Sequence, residues 1–154
     1  MKIYLVQHAE AVSEEEDPAR PLSREGRENA LDVAELAEMM DLEVHQIRHS
    51  GKTRARQTAE IMGESLSPPG GVVEAPGLGP VDDVELVADQ LDNLLEPVML
   101  VGHLPFMERI TGYMVAGDPE LTVVKFINAA IVCLVKSDEG WHVSWILTPE
   151  IAAA

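Results

Sequence analysis

The sequence predicts a three-layer α/β/α sandwich, in which helices cover both faces of a mostly parallel sheet with an antiparallel edge. Two continuous apolar runs, 2–7 and 97–102, are typical of strands buried on both faces. Amphipathic segments separate the β-favouring runs, and a hairpin signature lies at 137–140. Alternating strands and helices favour parallel pairing, whereas a hairpin adds antiparallel strands. We expect a single domain over 1–154.

The first half of the chain is predicted to alternate strand, helix, strand and helix. The run 2–7 is rich in β-favouring side chains, and a polar, acidic loop follows over 11–21. Ser23 is placed to cap a helix whose apolar residues recur at helical spacing. The run 44–49 predicts the second strand, and Thr53 is the expected cap of the next helix.

The second half is predicted to continue this alternation and to end in the hairpin. The predicted elements are, in order, a turn over 65–71, a short strand from Val72, a helix over 83–95, a strand over 97–102, a helix with Pro105 near its first turn, and strands over 129–135 and 141–147. Trp141 and Trp145 are four residues apart in one strand, so we expect them on the same face of the sheet.

Composition indicates a globular domain that needs no covalent or metal cross-link. Of the 154 residues, 46% are hydrophobic and 25% are charged, as is usual for chains that bury a core. A single cysteine, Cys133, excludes an internal disulfide framework and favours a reducing compartment. The apolar run at the N-terminus is too short for a signal or membrane helix. We therefore expect a cytoplasmic protein.

The charge of the chain disfavours polyanionic partners. The formal net charge is −16, so nucleic acid and anionic membranes are repelled unless cations are concentrated locally. Seven of the 11 lysines and arginines lie within residues 20–56: Arg20, Arg24, Arg27, Arg48, Lys52, Arg54 and Arg56. They either pair with neighbouring acids such as Glu25 and Glu28 or include one or two side chains that form an anion pocket.

Chemically informative side chains follow three predicted strands at the point where each strand ends. His8 follows the first strand, 49–54 the second, and His103 the late buried strand. Binding sites of open α/β sheets form outside the carboxyl ends of the strands. A lone histidine is more often structural, but two at strand ends with Arg54 beside a helix N-terminus favour a shared site.

Four segments around these residues form a recognisable series: Gln7-His8-Ala9, Arg20-Pro21-Leu22-Ser23 with Gly26, Ser50 to Thr58 (Ser-Gly-Lys-Thr-Arg-Ala-Arg-Gln-Thr), and Gly102-His103-Leu104-Pro105. The chain resembles the histidine phosphatase superfamily, which has the phosphoglycerate-mutase-like fold, and within it the small SixA-type phosphohistidine phosphatases. In that family the corresponding segments read Arg-His-Gly, Arg-Pro-Leu-Ser/Thr with a later Gly, Ser-Pro-x-x-Arg-Ala-x-Gln-Thr and Gly/Ser-His-x-Pro. Each motif alone is weak, whereas four in this order over nearly the whole chain are specific.

The resemblance implies a phosphatase that works through a phosphohistidine intermediate on the enzyme. His8 would attack phosphorus with a neutral ring nitrogen, and water would then hydrolyse the intermediate. His103, protonated in the complex, would donate to the phosphoryl oxygens, and Arg54 and Arg20 would neutralise their charge. Which nitrogen of His8 attacks stays open. No metal or cofactor is required, because the guanidinium groups supply the positive charge.

Further residues are assigned to the site as candidates. Gln7, Ser50 and Lys52 are candidate substrate-binding residues. Asp82 and Asp83 are candidate general acids, although Asp83 is equally placed to cap a helix. A phosphohistidine substrate reduces the need for an acid, because its leaving imidazole can be protonated beforehand.

One departure from the family pattern bears directly on activity. Gln7 stands where the family has arginine, so a full positive charge is lost. Ala9 replaces glycine, and its methyl group either crowds the site or is harmless if the backbone φ is negative. Three interpretations follow: Lys52 or Arg20 supplies the missing charge, the site binds a phospho-ligand without turnover, or the site has lost its role.

The short segment between the second and third predicted helices leaves no room for a lid over the site, and this predicts the class of substrate. Only about 20 residues separate the helix of Arg54 from that of Asp83, and larger family members insert a lid there. An open pocket favours a phosphorylated protein side chain, phosphohistidine above all, or a small phosphoramidate. The alternative function is a catalytically silent phosphate- or phosphoprotein-binding module.

The other three histidines do not indicate a metal site, because the spacing of His45, His49 and His142 fits no standard pattern of metal ligands.

Overall fold

The computed structural model describes residues 1–154 as one six-stranded sheet with five helices. The strands are β1 (Lys2–Gln7), β2 (Gln46–His49), β3 (Val72–Glu74), β4 (Val98–Gly102), β5 (Ile131–Ser137) and β6 (Gly140–Leu147). The helices are α1 (Arg24–Met39), α2 (Thr53–Leu66), α3 (Val84–Asp92), α4 (Phe106–Ala116) and α5 (Pro149–Ala152). No helix combines the length and apolar character needed to cross a membrane.

The strand order confirms the predicted mostly parallel sheet with an antiparallel edge. The order is β3-β2-β4-β1-β5-β6. The first four strands are parallel to one another, β5 pairs antiparallel with β1, and β6 pairs antiparallel with β5. Gln7 at the end of β1 is level with Gly102 at the end of β4. His49 on the neighbouring β2 is level with Val101. The residues that follow β1, β2 and β4 therefore emerge side by side at one edge.

Both faces of the sheet are buried, as the apolar runs predict. On β1, Tyr4 and Val6 pack toward α1 and α2, whereas Ile3 and Leu5 pack toward α3 and α4. The four side chains are between 0% and 2% exposed. This burial on both sides holds the end of β1 rigidly, and the candidate site begins there.

The start of α1 is fixed by a capping serine and a close backbone approach. The Ser23 hydroxyl accepts a hydrogen bond from the Gly26 N–H at 3.0 Å, which confirms Ser23 as the N-cap. A Cβ on Gly26 would lie 2.0 Å from the Glu10 carbonyl oxygen, so the helix can pass this close to the chain after β1 only with glycine. Thr53 is the first residue of α2 rather than its cap, because Lys52 has the extended N-cap conformation.

The prediction that Trp141 and Trp145 share one face is wrong. A β-bulge between Cys133 and Leu134 shifts the register between β5 and β6. The extra residue reverses the alternation of side chains along the strand. Trp141 consequently packs with the core on the α3 and α4 side, and Trp145 packs against Tyr4 on the opposite side, with ring centroids 6.0 Å apart.

Several element ends differ from the predicted ones by two or three residues. The second strand begins at Gln46 rather than residue 44, and the fifth begins at Ile131 rather than residue 129. Ala129 has a φ of +67°, which is incompatible with a strand. Helix α3 ends at Asp92, where Asn93 is the C-cap, instead of continuing to residue 95.

Candidate active site

A cleft of about 350 Å³ lies at the edge where β1 and β4 end. Five of the predicted site residues line it: Gln7, His8, Arg20, Arg54 and His103. The imidazole centroids of His8 and His103 are 5.1 Å apart, and the ring planes are inclined at 53°. Two histidines separated by 94 intervening residues of sequence therefore face one small space, because β1 and β4 are neighbours in register.

His8 is held as a neutral imidazole with a defined tautomer. Its Nδ1 lies 2.7 Å from the Ala9 carbonyl oxygen. Because a carbonyl can only accept, Nδ1 carries the hydrogen and the lone pair is on Nε2. Burial lowers the pKa of His8 to about 4, aided by Arg54 and Arg20 and opposed by the bond to Ala9. The ring is therefore neutral near pH 7, and Nε2 is its nucleophilic atom.

His103 is buried and has one unsatisfied nitrogen. Its Nε2 lies 2.6 Å from the Ser50 hydroxyl oxygen, and its Nδ1 is buried without a partner. The side chain is 2% exposed. Burial chiefly, followed by His8, Arg54, Lys52 and Arg20, lowers the pKa of His103 to about 3. In the anion-free protein His103 is neutral, so its predicted protonated form requires a bound anion.

Two guanidinium groups complete the wall of the cleft. Arg54 lies in the first turn of α2, and its Nε is buried without a hydrogen-bond partner. Burial and the nearby positive charge of Arg20 lower the pKa of Arg54. Arg20 has a φ of +50° and donates from Nε to the Val12 carbonyl at 3.1 Å. Two adjacent like charges repel each other unless an anion binds between them, and a non-glycine residue with a positive φ is uncommon and often lies at a functional site.

The buried polar atoms without partners all belong to this cleft. They are Gln7 Oε1, Arg54 Nε and His103 Nδ1. A buried unpaired donor costs about 1–3 kcal/mol, so such atoms are rare away from functional sites. The Arg54 nitrogen matches an acceptor oxygen of a tetrahedral oxyanion, and His103 Nδ1 matches one when it carries a proton. The Gln7 oxygen does not, since it is an acceptor itself.

The replacement of glycine by Ala9 is accommodated without strain. The methyl group is fully buried in the core beneath α2, and the residue has no positive φ. Its N–H donates to the Thr58 hydroxyl at 2.9 Å. Of the two readings of this position, the harmless one fits the structure, and Gln7 is the departure that alters the cleft.

Four predicted site residues do not line the cleft. Ser50 contacts His103 instead, and Lys52 is exposed beside it, close enough to affect the pKa of His103. Asp83 caps α3 by accepting from the Glu85 N–H at 2.9 Å. Asp82 accepts from the Gly79 N–H at 2.7 Å. Both aspartates line a neighbouring cavity with Pro105 and Arg109, so neither is placed to protonate a leaving group in the cleft.

Sequence reasoning missed two cleft residues, Glu10 and Asn128. Glu10 is the carboxylate that lines the cleft, and the Ser23 hydroxyl donates to its Oε1 at 2.8 Å. Asn128 donates from Nδ2 to the His8 carbonyl at 2.8 Å and so fixes the main chain at His8. Glu10 directly follows a motif and could have been found there, whereas nothing in the sequence around Asn128 indicates this contact.

The remaining histidines are structural or superficial. His49 accepts at Nδ1 from the Gly51 N–H at 3.1 Å, where glycine has a φ of +93°. His45 pairs with Glu96 at 2.6 Å, outside the cleft. No group of three or more histidine, cysteine or acidic side chains is arranged to hold a metal ion.

Anion binding should be coupled to proton uptake at His103. The pKa of its ring is about 3 without an anion, and a bound dianion raises it by charge attraction. Sulfate stays a dianion above pH 4, so its affinity should fall with rising pH by up to about tenfold per unit. Calorimetry in buffers of different ionisation enthalpy measures the proton directly. His103→Gln should abolish the proton uptake. If the parent protein binds sulfate but takes up no proton at any of the pH values measured, His103 is not protonated in the complex.

Comparison with known proteins gives relatives over nearly the whole chain. The chain is 28% identical to the phosphohistidine phosphatase SixA of Escherichia coli strain K12, over 97% of this chain and 94% of that protein. No family model matches it.

Solved structures agree with this relationship. The protein histidine phosphatase SixA in complex with tungstate has a TM-score of 0.85 and 25% identity, over 97% of both chains. A SixA protein of Agrobacterium tumefaciens, also described as a phosphohistidine phosphatase, has a TM-score of 0.77 and 25% identity, over 96% of this chain and 97% of that one. An α-ribazole-5′-phosphate phosphatase of Escherichia coli shares the fold, with a TM-score of 0.78 at 13% identity over 97% of both chains.

Proposed function

Since this chain is a homologue of the SixA phosphohistidine phosphatases, with the fold of the histidine phosphatase superfamily, we propose that it hydrolyses phosphohistidine on a partner protein. One observation above all supports this proposal. Two neutral imidazoles, 5.1 Å apart, share a cleft with two guanidinium groups and with buried nitrogens that have no partner. A phosphoryl group is small enough to enter this cleft. Its negative charge complements the guanidinium groups, and its oxygens accept hydrogen bonds from the donors.

In the first step the lone pair on His8 Nε2 attacks phosphorus. The Nε2–P bond forms while the P–N bond of the substrate breaks, and the bonding pair leaves with the substrate imidazole. When the substrate ring is protonated on its other nitrogen, it leaves as a neutral imidazole, and no proton transfer is needed. His8 becomes a phosphorylated imidazolium, and its Nδ1–H donates to the Ala9 carbonyl oxygen.

In the second step water attacks the same phosphorus atom. The new O–P bond replaces the Nε2–P bond, and the bonding pair returns to His8 as a neutral ring. Both protons of the water stay on the product, which leaves as dihydrogen phosphate. Arg20, Arg54 and protonated His103 surround the phosphoryl oxygens in both steps and stabilise their charge.

The position of the carboxylates favours a nitrogen leaving group over an oxygen one. An alkoxide or sugar oxygen needs a proton as it leaves, whereas a protonated imidazole does not. Asp82 and Asp83 lie outside the cleft, and Glu10, which lines it, is exposed and held by Ser23. We therefore propose a phosphohistidine protein, or a small phosphoramidate in vitro, as the substrate.

Gln7 favours one alternative function, a silent phosphate-binding module. A neutral carboxamide in place of a charged donor weakens transition-state stabilisation more than ground-state binding. Such a module would retain the anion cleft and lose turnover. Binding of vanadate by a protein that hydrolyses none of the phosphorylated substrates would support this alternative.

A substrate panel tests the proposal. We expect the protein to hydrolyse phosphoramidate and phosphohistidine peptide, in the presence of EDTA, at least about tenfold faster than phosphoserine peptide or sugar phosphate, because only the latter need a strong acid. Released phosphate is the measurement. Faster hydrolysis of sugar phosphates, or loss of activity in EDTA, would contradict the proposal.

A further inference from the structure

Acidic side chains flank the cleft on one side, on the loop that follows β1. Residues 11–22 form a short hairpin-like loop, closed by a bridge between Ala11 and Leu22 and by a Val12 N–H to Pro21 carbonyl bond of 2.9 Å. Ala11 and Arg20, at the base of this loop, line the cleft. Four exposed carboxylates lie at its tip: Glu14, Glu15, Glu16 and Asp17. The loop therefore extends a negative surface from the mouth of the cleft.

A second acidic surface continues from another part of the cleft wall. Pro80 and Leu104 line the cleft, and the residues that directly follow them line an adjoining cavity of about 450 Å³. The carboxylates of that cavity are Asp82 and Asp83, and Pro105 contributes an apolar surface. Arg109 also lines it, but its charge is paired with Glu120. The cavity is thus large enough for a long side chain and is acidic on balance.

These flanking carboxylates have no cationic partner within the protein. None of the six takes part in a salt bridge. Glu10, inside the cleft, is also without an ion pair and accepts only from Ser23. Lys52 is an exposed cation near His103, and the other nearby cations, Arg20 and Arg54, lie in the cleft itself. The charge pattern is therefore a positive centre with negative flanks.

The centre of this pattern is itself a ligand site. His103 lines the cleft and is 2% exposed, and its buried Nδ1 has no hydrogen-bond partner. An anion that satisfies this nitrogen has to pass the acidic flanks, and a free polyanion is repelled by them. When a partner protein carries the anion between cationic side chains, the positive cleft attracts the anion and the acidic flanks attract the cationic side chains.

We propose that the partner protein presents its phosphohistidine between lysine or arginine side chains, and that one of them enters the cavity lined by Asp82 and Asp83. This inference rests on the proposed function and specifies its substrate class. The methylene stem of the basic side chain packs on Pro105, and its charged end lies at the carboxylates. The loop carboxylates attract a second basic side chain where Ala11 and Arg20 line the cleft.

Peptides that differ only in flanking charge test the proposal. Three phosphohistidine peptides carry lysine, glutamine or glutamate on both sides of the phosphorylated residue. We expect kcat/KM to be about tenfold higher for the lysine peptide than for the glutamine peptide at low salt, and lowest for the glutamate peptide. The ratio should approach one at about 0.5 M salt, because exposed charges are screened.

Variants in which two carboxylates are replaced by amides show which acidic residues cause the preference for the lysine peptide. Asp82→Asn with Asp83→Asn keeps the hydrogen-bond acceptors of both side chains, including the α3 cap, and should remove most of the preference for lysine. Glu35→Gln with Glu38→Gln on the exposed face of α1 makes the same change in net charge and should leave the preference intact. Hydrolysis of phosphoramidate, which has no flanks, should be the same in all three proteins.

The outcomes separate the inference from the proposed function. Loss of the lysine preference in the double aspartate variant, with unchanged phosphoramidate hydrolysis, supports both. Equal kcat/KM for the three peptides, or the same decrease in both double variants, overturns the docking inference alone. If the parent protein does not hydrolyse phosphoramidate, the proposed function fails, whatever the peptides show.

Discussion

His8→Ala is expected to lower kcat for phosphoramidate hydrolysis by about 10⁴-fold or more, because the variant lacks the atom that accepts the phosphoryl group in the proposed mechanism. Single-turnover experiments quenched in alkali, where phosphohistidine survives, should trap a phosphorylated parent protein and no phosphorylated variant. The variant should still fold and still bind sulfate, since Arg20, Arg54 and His103 remain in the cleft.

His45→Ala is the matched control for this experiment. His45 pairs with Glu96 outside the cleft, so its removal should change kcat by less than about twofold. A His8→Ala protein that keeps a tenth of the parent rate would show that another group accepts the phosphoryl or that water attacks the substrate directly. Either result would refute the two-step mechanism.

Gln7→Arg is expected to raise kcat/KM by about a hundredfold. Loss of one donor to a developing oxyanion costs about 3–4 kcal/mol at the transition state, and the substitution restores such a donor together with a positive charge. It also removes the buried carboxamide oxygen that has no partner. Initial rates with phosphoramidate give the ratio directly.

The same variant should be less stable until an anion binds. A third guanidinium beside Arg20 and Arg54 adds repulsion in the empty cleft, so Tm should fall without sulfate and recover in its presence. Gln7→Met, similar in length but without a donor, should lower kcat/KM below that of the parent. If arginine leaves the rate unchanged or slows it, the cleft is adapted to the carboxamide, and Lys52 or Arg20 already supplies the missing charge.

The convergence of the two histidines could be predicted from the sequence because it follows from topology. Buried apolar runs identified β1 and β4 as parallel strands, and the residues after parallel strands meet at one edge. The prediction depends only on the direction of the strands and on which strands are neighbours in the sheet. Small errors in where a strand ends do not affect it. His8, His103 and Arg54 therefore lie together as expected.

Features that depend on a shift of one residue or on a single hydrogen bond could not be predicted in this way. The β-bulge that separates Trp141 from Trp145 leaves no trace in the alternation of apolar residues. The carboxylate of Asp83 could cap a helix or face the cleft, and only the start of α3 decides between these roles. Ser50 has a motif position but does not line the cleft, and its hydroxyl contacts His103 Nε2 at 2.6 Å.

In the proposed mechanism, the hydrogen bond from His8 Nδ1 to the Ala9 carbonyl determines the regiochemistry of the phosphorylated protein. Because the acceptor is a main-chain oxygen of the next residue, no exchange of side chains elsewhere in the cleft removes it. Variants at Gln7, Arg20, Arg54 or His103 should differ in how fast they form the covalent adduct, yet all should yield the single isomer phosphorylated on the ring nitrogen remote from Cβ, which phosphorus NMR distinguishes from its counterpart. The choice of isomer is thus a property of the turn after the first strand.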